Sequence, residues 1–211
     1  MSGTYIGKVM STVSASTTML ISSIVDHIKW RRGEVKDNYI NGYKVKRFLG
    51  SGVQGKVFEV VDQYGNTFAM KIKHLDEFSP SWEIDDLKLR LEKLKSIDHE
   101  NIVGIHQYGT IDTSNTSYLN CVKLLNTPQN RRDNILTDSI PDYALRNGKC
   151  FYTLMEYVDG HEVRYISNSV SQDVKLAKRE LEQHDITHDD IRESNILYNS
   201  KTGKYVLIDF D

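Results

Sequence analysis

The sequence predicts an α+β fold in which a group of glycine-punctuated strands and one helix is followed by a shorter part with room for one further helix. Three observations predict it. Runs rich in Val, Phe and Tyr alternate with glycine turns from Tyr43 to Lys73, the signature of short strands joined by tight connections. Ile84, Leu87, Leu91, Leu94 and Ile97 then form one apolar stripe at helical spacing, as a helix packed by one face requires. Finally, SQDVKLAKRELEQ reads as a second helix, ahead of an apolar strand that runs into IDFD.

Taken in order, YKVKRFLGSG is a strand ending in a glycine turn, GKVFEVV is the next strand, and Tyr64-Gly65-Asn66 turns the chain into a third. The first helix follows. NIVGIHQYGTI and CFYTLMEYV supply two more strands and bring the count to five. Between these last two, residues 112–149 are polar and hold Pro128 and Pro141, so they read as a long surface insertion.

A chain of 211 residues with 39% hydrophobic content is long enough for one ordinary core or two small lobes around a cleft. Lys and Arg number 27 against 29 Asp and Glu, a formal charge of −2. That balance provides no broad basic field, so nucleic acid is not an expected partner and any polyanion needs a local site. Two cysteines, Cys121 and Cys150, are too few for a disulfide framework; reduced thiols in a cytoplasmic setting are the simpler reading. Residues 1–38 read as an N-terminal extension. Its apolar positions are interrupted by hydroxyls too often for a membrane span, and Val13, Leu20, Ile21, Ile24, Val25 and Ile28 fit an amphipathic helix.

Two features point to phosphate chemistry. GSGVQGKV, Gly50 to Val57, fits G-x-G-x-x-G-x-V between two strands. Glycines let backbone amides lie against phosphate oxygens where side chains would collide. Alone, such a loop is also a common turn solution. A lysine in Ala69-Met70-Lys71, on the following strand, strengthens the phosphate reading because it can reach the phosphates from beneath.

The order of strand, glycine loop, strand, A-M-K, helix, HENIV, MEYVDGHEV, HDDIRESN and IDFD resembles the protein kinase family from about Tyr43 to the last residue. The resemblance implies a protein-kinase-like fold: a five-stranded antiparallel N-lobe with one helix over 39–158, and a short, incomplete helical C-lobe over 159–211. ATP and Mg2+ would lie between them. It makes Gly50, Ser51, Gly52 and Gly55 the nucleotide loop and Lys71 the clamp on the alpha and beta phosphates. Val57 and Ala69 would touch adenine, Met155 would stand at the gatekeeper position, and the backbone from Glu156 to Val158 would bond the adenine edge. Glu162 falls where the family contacts ribose or a basic substrate. Asp190 would take the proton of the substrate hydroxyl, Arg192 replaces the catalytic-loop lysine, and Asn195 and Asp209 match the magnesium ligands.

Besides Arg192, three positions depart from the family's pattern. Nine positions before His99, where the family has the glutamate that pairs with the strand lysine, this chain has Arg90. Asp86 or Glu83 is the expected substitute. The family's H-R-D is His188-Asp189-Asp190, and its D-F-G is Asp209-Phe210-Asp211. IDFD is also similar to kinase-like enzymes that phosphorylate small molecules. Three readings follow: a minimal kinase transferring phosphate to protein Ser or Thr hydroxyls, a catalytically inactive pseudokinase or fragment acting as a binding module, and a small-molecule kinase. The N-terminal extension, a partner or a second copy of the chain is the expected cover for the incomplete lobe.

Overall fold

The computed structural model describes residues 39–52, 55–75, 80–125 and 148–210. The N-terminal extension with its expected helix, residues 126–147 of the expected insertion, the Ser51 side chain and Asp211 lie outside the described residues.

The chain opens with strand β1, Tyr39–Ile40, and turns through Asn41 and Gly42 at φ 48° and 85° into β2, Tyr43–Gly52. Both angles are left-handed, which Asn tolerates and Gly accepts freely, so Asn-Gly closes a two-residue hairpin. Next come β3, Gly55–Val61, and β4, Thr67–Leu75. Their turn is built on Asp62, whose Oδ1 accepts the Tyr64 and Asn66 amides at 2.8 and 2.9 Å. Helix α1, Ser81–Lys95, follows and buries Ile84, Leu87, Leu91 and Leu94, the stripe the spacing predicts. Strand β5, Ile105–Asp112, helix α2, Thr116–Leu125, and strand β6, Lys149–Glu156, complete this part.

The strands form one sheet in the order β1-β2-β3-β4-β6-β5, with every neighbour antiparallel. The expected five strands are therefore six. The addition is the two-residue β1, whose Ile40 is fully buried and anchors it. The expected single helix is also two, because the insertion begins with α2, and its Tyr118, Cys121, Val122, Leu124 and Leu125 are buried against the sheet. Asn115 starts it by accepting the Ser117 amide at 2.8 Å.

The sheet separates two cores. Phe58, Val60, Met70, Ile72, Tyr152 and Leu154 meet α2 on one face. The other core begins with Leu75, Phe151 and α1 and continues through Val158 into the second part of the chain. Each fully buried aliphatic or aromatic side chain contributes roughly 1.5–3 kcal/mol, so both helices are integral to the sheet. Alternation along β4 follows: Met70 and Ile72 face α2, and Lys71 between them faces the other way.

Beyond β6 lie β7, Gly160–Glu162, helix α3, Asn168–Gln183, a 3-10 turn at Glu193–Asn195, β8, Ile196–Asn199, and β9, Lys204–Leu207. Ser167 caps α3 by accepting the Val170 amide. The second part was expected to be helical. Among the described residues it holds one α-helix and a three-stranded antiparallel sheet ordered β7-β8-β9. The segment before β5 zips onto β9: Leu207 N–H donates to Asn101 O at 2.9 Å, and Val103 N–H to Leu207 O at 3.0 Å. That seam holds the end of β9 beside the six-stranded sheet. No helix among the described residues is long and apolar enough to cross a membrane.

Candidate active site

The glycine loop is the β2–β3 hairpin, in which Gly50 pairs with Val57 and Gly52 with Gly55. Gly55 lies at φ 150°, and a Cβ there would collide with the backbone carbonyl oxygen of Ile72 on β4. Only glycine allows the two strands to approach so closely. Gly50 differs, because a Cβ there meets nothing within 4 Å. Strand register then sets Val57 beside Lys71, and Ala69 beside Met155. Val57, Ala69 and Met155 are all half-buried on the face opposite α2, as the floor of a cleft requires.

Lys71 is buried and forms an ion pair with the Asp209 carboxylate. Asp209 stands at φ 66°, a left-handed backbone that asparagine and aspartate adopt more readily than other non-glycine residues. Glu83, one of the two expected substitutes for the helix acid, pairs with Lys73 at 2.9 Å. Asp86 is exposed. A carboxylate on Lys71 thus comes from the end of β9. Arg90 sends Nη1 to the carbonyl oxygen of Phe210 at 3.2 Å.

A second group lies on the loop before β8. Asn195 is buried, and its Nδ2 donates to both Asp190 O at 2.9 Å and Asp190 Oδ2 at 3.0 Å. Arg192 Nη2 meets the same Oδ2 at 3.0 Å. Asp190 is therefore held as an exposed carboxylate with two donors on one oxygen. The two groups are tied together by backbone: Ile208 N–H donates to Asn195 O at 3.0 Å, and His188 Nε2 bonds Ile208 O at 2.8 Å. His188 also packs on Phe210, ring centroids 4.7 Å apart. His188, Ile208 and Phe210 were not among the sequence-derived site residues. Their signal was positional, since Ile208 and Phe210 flank Asp209 and His188 stands two positions before Asp190.

The strand that would border a base is β6 and its exit. Glu156 N–H is committed to Gly104 O at 2.8 Å. Val158 is buried, and Tyr157 is held through its hydroxyl by Arg47 at 2.7 Å, which also meets Glu59 at 2.5 Å. That brace links β2 and β3 to the connection between the two sheets. Glu162 is exposed on β7, paired in register with Leu197, one strand away from the turn that ends in Asn195.

The amide oxygen of Asn195 and the carboxylate of Asp209 are hard donors, the chemistry that suits Mg2+ over a softer metal. Asn195 fits because its nitrogen is engaged by Asp190, which fixes the amide orientation. Asp209 fits because its side chain is 36% exposed even while paired, leaving room for a cation to share it.

Lys56 and Cys150, both perturbed, lie on the opposite face, away from this cluster. Lys56 is buried and donates to the Leu125 carbonyl at the C-terminus of α2, where the helix dipole favours a cation; burial holds its ammonium below the ordinary lysine range. Cys150 is pushed well above the usual thiol range by its hydrogen bond with Cys121 and by burial.

A glycine hairpin, a buried lysine, an asparagine bonded to an exposed aspartate, and a second aspartate on the lysine are together the arrangement of the kinase fold. The family model for the protein kinase domain matches residues 43–211, and the chain belongs to that family. A Dictyostelium discoideum protein named "Probable serine/threonine-protein kinase fhkA" is 32% identical over 98 residues, 44% of this chain and 16% of that protein. Crystal structures of the Mycobacterium tuberculosis PknI kinase domain superpose with a TM-score of 0.56 at 17% identity, over 83% of this chain and 62% of that one. A double mutant of the same domain gives 0.57. The chain thus spans under two thirds of the solved kinase domains and about a sixth of the curated relative.

Proposed function

We propose that the chain binds ATP with Mg2+ and transfers its gamma-phosphoryl group to the hydroxyl of a protein Ser or Thr. The observation that carries this reading is the convergence of Lys71, Asp209, Asn195 and Asp190, from one strand of the first sheet and two separate loops of the second, through the bonds described above. Asn195 and Asp209 would hold Mg2+, which when bound would supply positive charge against the phosphates.

The chain's own residues do the rest by position. Lys71 supplies a fixed cation beside the phosphates, and the hairpin at Gly50, Gly52 and Gly55 supplies backbone amides over them. Asp190 orients the attacking hydroxyl and accepts its proton, with Asn195 and Arg192 holding the carboxylate in place. Arg192, 60% exposed at its side chain, is long enough to leave Asp190 for the transferred phosphate. The hydroxyl of a protein is favoured as acceptor by the name of the curated relative.

A second reading, a nucleotide-binding module without transfer, is favoured by Arg90 at the helix position of the family's glutamate. Mass-spectrometric mapping of new phosphosites in a protein extract treated with the chain and Mg-ATP tests the proposal. New phosphoserine or phosphothreonine that is absent with Asp190→Asn supports it. Nucleotide binding with no new site in either sample supports the module.

A further inference from the structure

The segment Ile208–Phe210 is fixed from three sides. Asn195 O accepts the Ile208 amide at 3.0 Å, His188 bonds the Ile208 carbonyl at 2.8 Å, and Arg90 donates to the Phe210 carbonyl at 3.2 Å. The first two contacts come from the loop before β8, on the same side of the sequence as the segment itself. Arg90 reaches it from α1, 120 residues away. Between these supports stands Asp209, whose left-handed backbone at φ 66° persists only where its surroundings hold it.

The chemistry of the contact explains the residue. A carbonyl oxygen accepts hydrogen bonds and never donates them, so a glutamate at position 90 could not make this bond, whereas a guanidinium presents five donors and keeps its charge at every working pH. Leu87 and Leu91 on the same helix are buried, and Arg90 is half-buried, as a long side chain with an apolar stem and a charged head allows.

From this we infer that Arg90 is a positioning residue for the metal carboxylate: α1 is coupled to Asp209 through the Phe210 backbone instead of through an acid on the strand lysine. The inference rests on the reading in which Asp209 holds Mg2+ and Lys71 the phosphates. It converts the departure at Arg90 from a defect into a different wiring of the same site. Loss of the guanidinium frees the segment at one end, so Asp209 spends less time in the geometry that accepts the cation.

The test compares the parent with Arg90→Met, Arg90→Gln and Arg90→Lys. Hydrogen exchange of the Ile208 amide, without nucleotide, reads the segment directly. A fluorescent ATP analogue titrated at several Mg2+ concentrations reads the carboxylate. Arg90→Met and Arg90→Gln should each speed the Ile208 exchange about ten-fold and raise the Mg2+ needed for half-maximal binding by a similar factor, the scale of one lost charge-assisted bond. Arg90→Lys, which keeps a cationic donor, should recover most of both. Unchanged exchange and an unchanged Mg2+ requirement in either neutral variant that folds would overturn the inference. If the parent binds no nucleotide, the phosphotransfer reading fails, and faster exchange in the neutral variants with recovery in Arg90→Lys still supports the positioning role.

Discussion

Lys71 and Asp209 form an ion pair across 138 residues of sequence, joining the fourth strand of the six-stranded sheet to the loop that leaves β9. The pair places the cation expected at the phosphates and the carboxylate expected at the metal in direct contact. Each has a separate consequence when removed. Lys71→Met should weaken Mg-ATP binding roughly ten- to hundred-fold, the range for charge-assisted hydrogen bonds. Asp209→Asn should instead abolish the Mg2+ enhancement of binding and leave metal-free nucleotide affinity nearly unchanged. Calorimetric titration of ATP with and without Mg2+ separates the two.

Asp190 and Asn195 should divide differently. Asp190→Asn keeps a side chain of the same shape but cannot take a proton, so transfer should fall about 10²- to 10⁴-fold with nucleotide affinity retained. Asn195→Asp sets a second carboxylate against Asp190 O and Oδ2, where Nδ2 now donates at 2.9 and 3.0 Å. Two bonds are lost and repulsion replaces them. Lowered thermal stability together with lost transfer is the expected result, measured by calorimetry and turnover on the same preparation.

The glycine hairpin makes a prediction that separates backbone from side chain. Gly55→Ala drives a methyl into the Ile72 carbonyl at φ 150°, and should cost on the order of 1–3 kcal/mol and most of the nucleotide affinity. Gly50→Ala meets open space and should leave folding stability within about 0.5 kcal/mol. Paired urea unfolding curves decide it. Equal destabilisation by the two would show that the approach of β3 to β4 is not what Gly55 serves.

Stability should decline at alkaline pH. Burial, with Cys150 and Cys121 as neighbours, pushes Tyr118 from 10.0 up to about 12, and Cys150 is raised above its ordinary 9.0. The folded chain then keeps protons that the unfolded chain releases, so their contribution is complete below about pH 9 and is lost as pH rises through the folded values. The Tyr118 part alone is on the order of 2–3 kcal/mol between pH 10 and 12. Lys56 opposes it, because an ammonium with a lowered pKa gains stability as pH rises. Tyr118→Phe should flatten the fall in unfolding free energy between pH 10 and 12.

Much of this was legible in the sequence, for identifiable reasons. Gly50 to Lys71 declares itself because each turn needs glycine or asparagine and each strand alternates. The α1 stripe follows from helical spacing. Helix α2 was hidden in an Asn- and Pro-bearing polar stretch, although Tyr118, Cys121, Val122 and Leu125 stand at the spacing of one helix face. Strand β1 was too short to show a period, yet Asn41-Gly42 is a strong local hairpin signal. The motifs named Lys71, Asp190, Asn195 and Asp209, but not what they touch. The pairing of Lys71 with Asp209, and of Arg90 with a carbonyl, depends on where β9 is set by the Asn101–Leu207 seam, a long-range contact with no local pattern.

Phosphoryl transfer by this cluster is measured most directly as the passage of labelled gamma-phosphate from Mg-ATP to protein. The parent chain is compared with Lys71→Met and Asp190→Asn, using the chain itself and a mixed protein extract as acceptors. Label that appears with the parent, requires Mg2+ and vanishes with both variants is the predicted result. Equal label in the parent and Asp190→Asn, or no label from a parent that binds Mg-ATP, would contradict it.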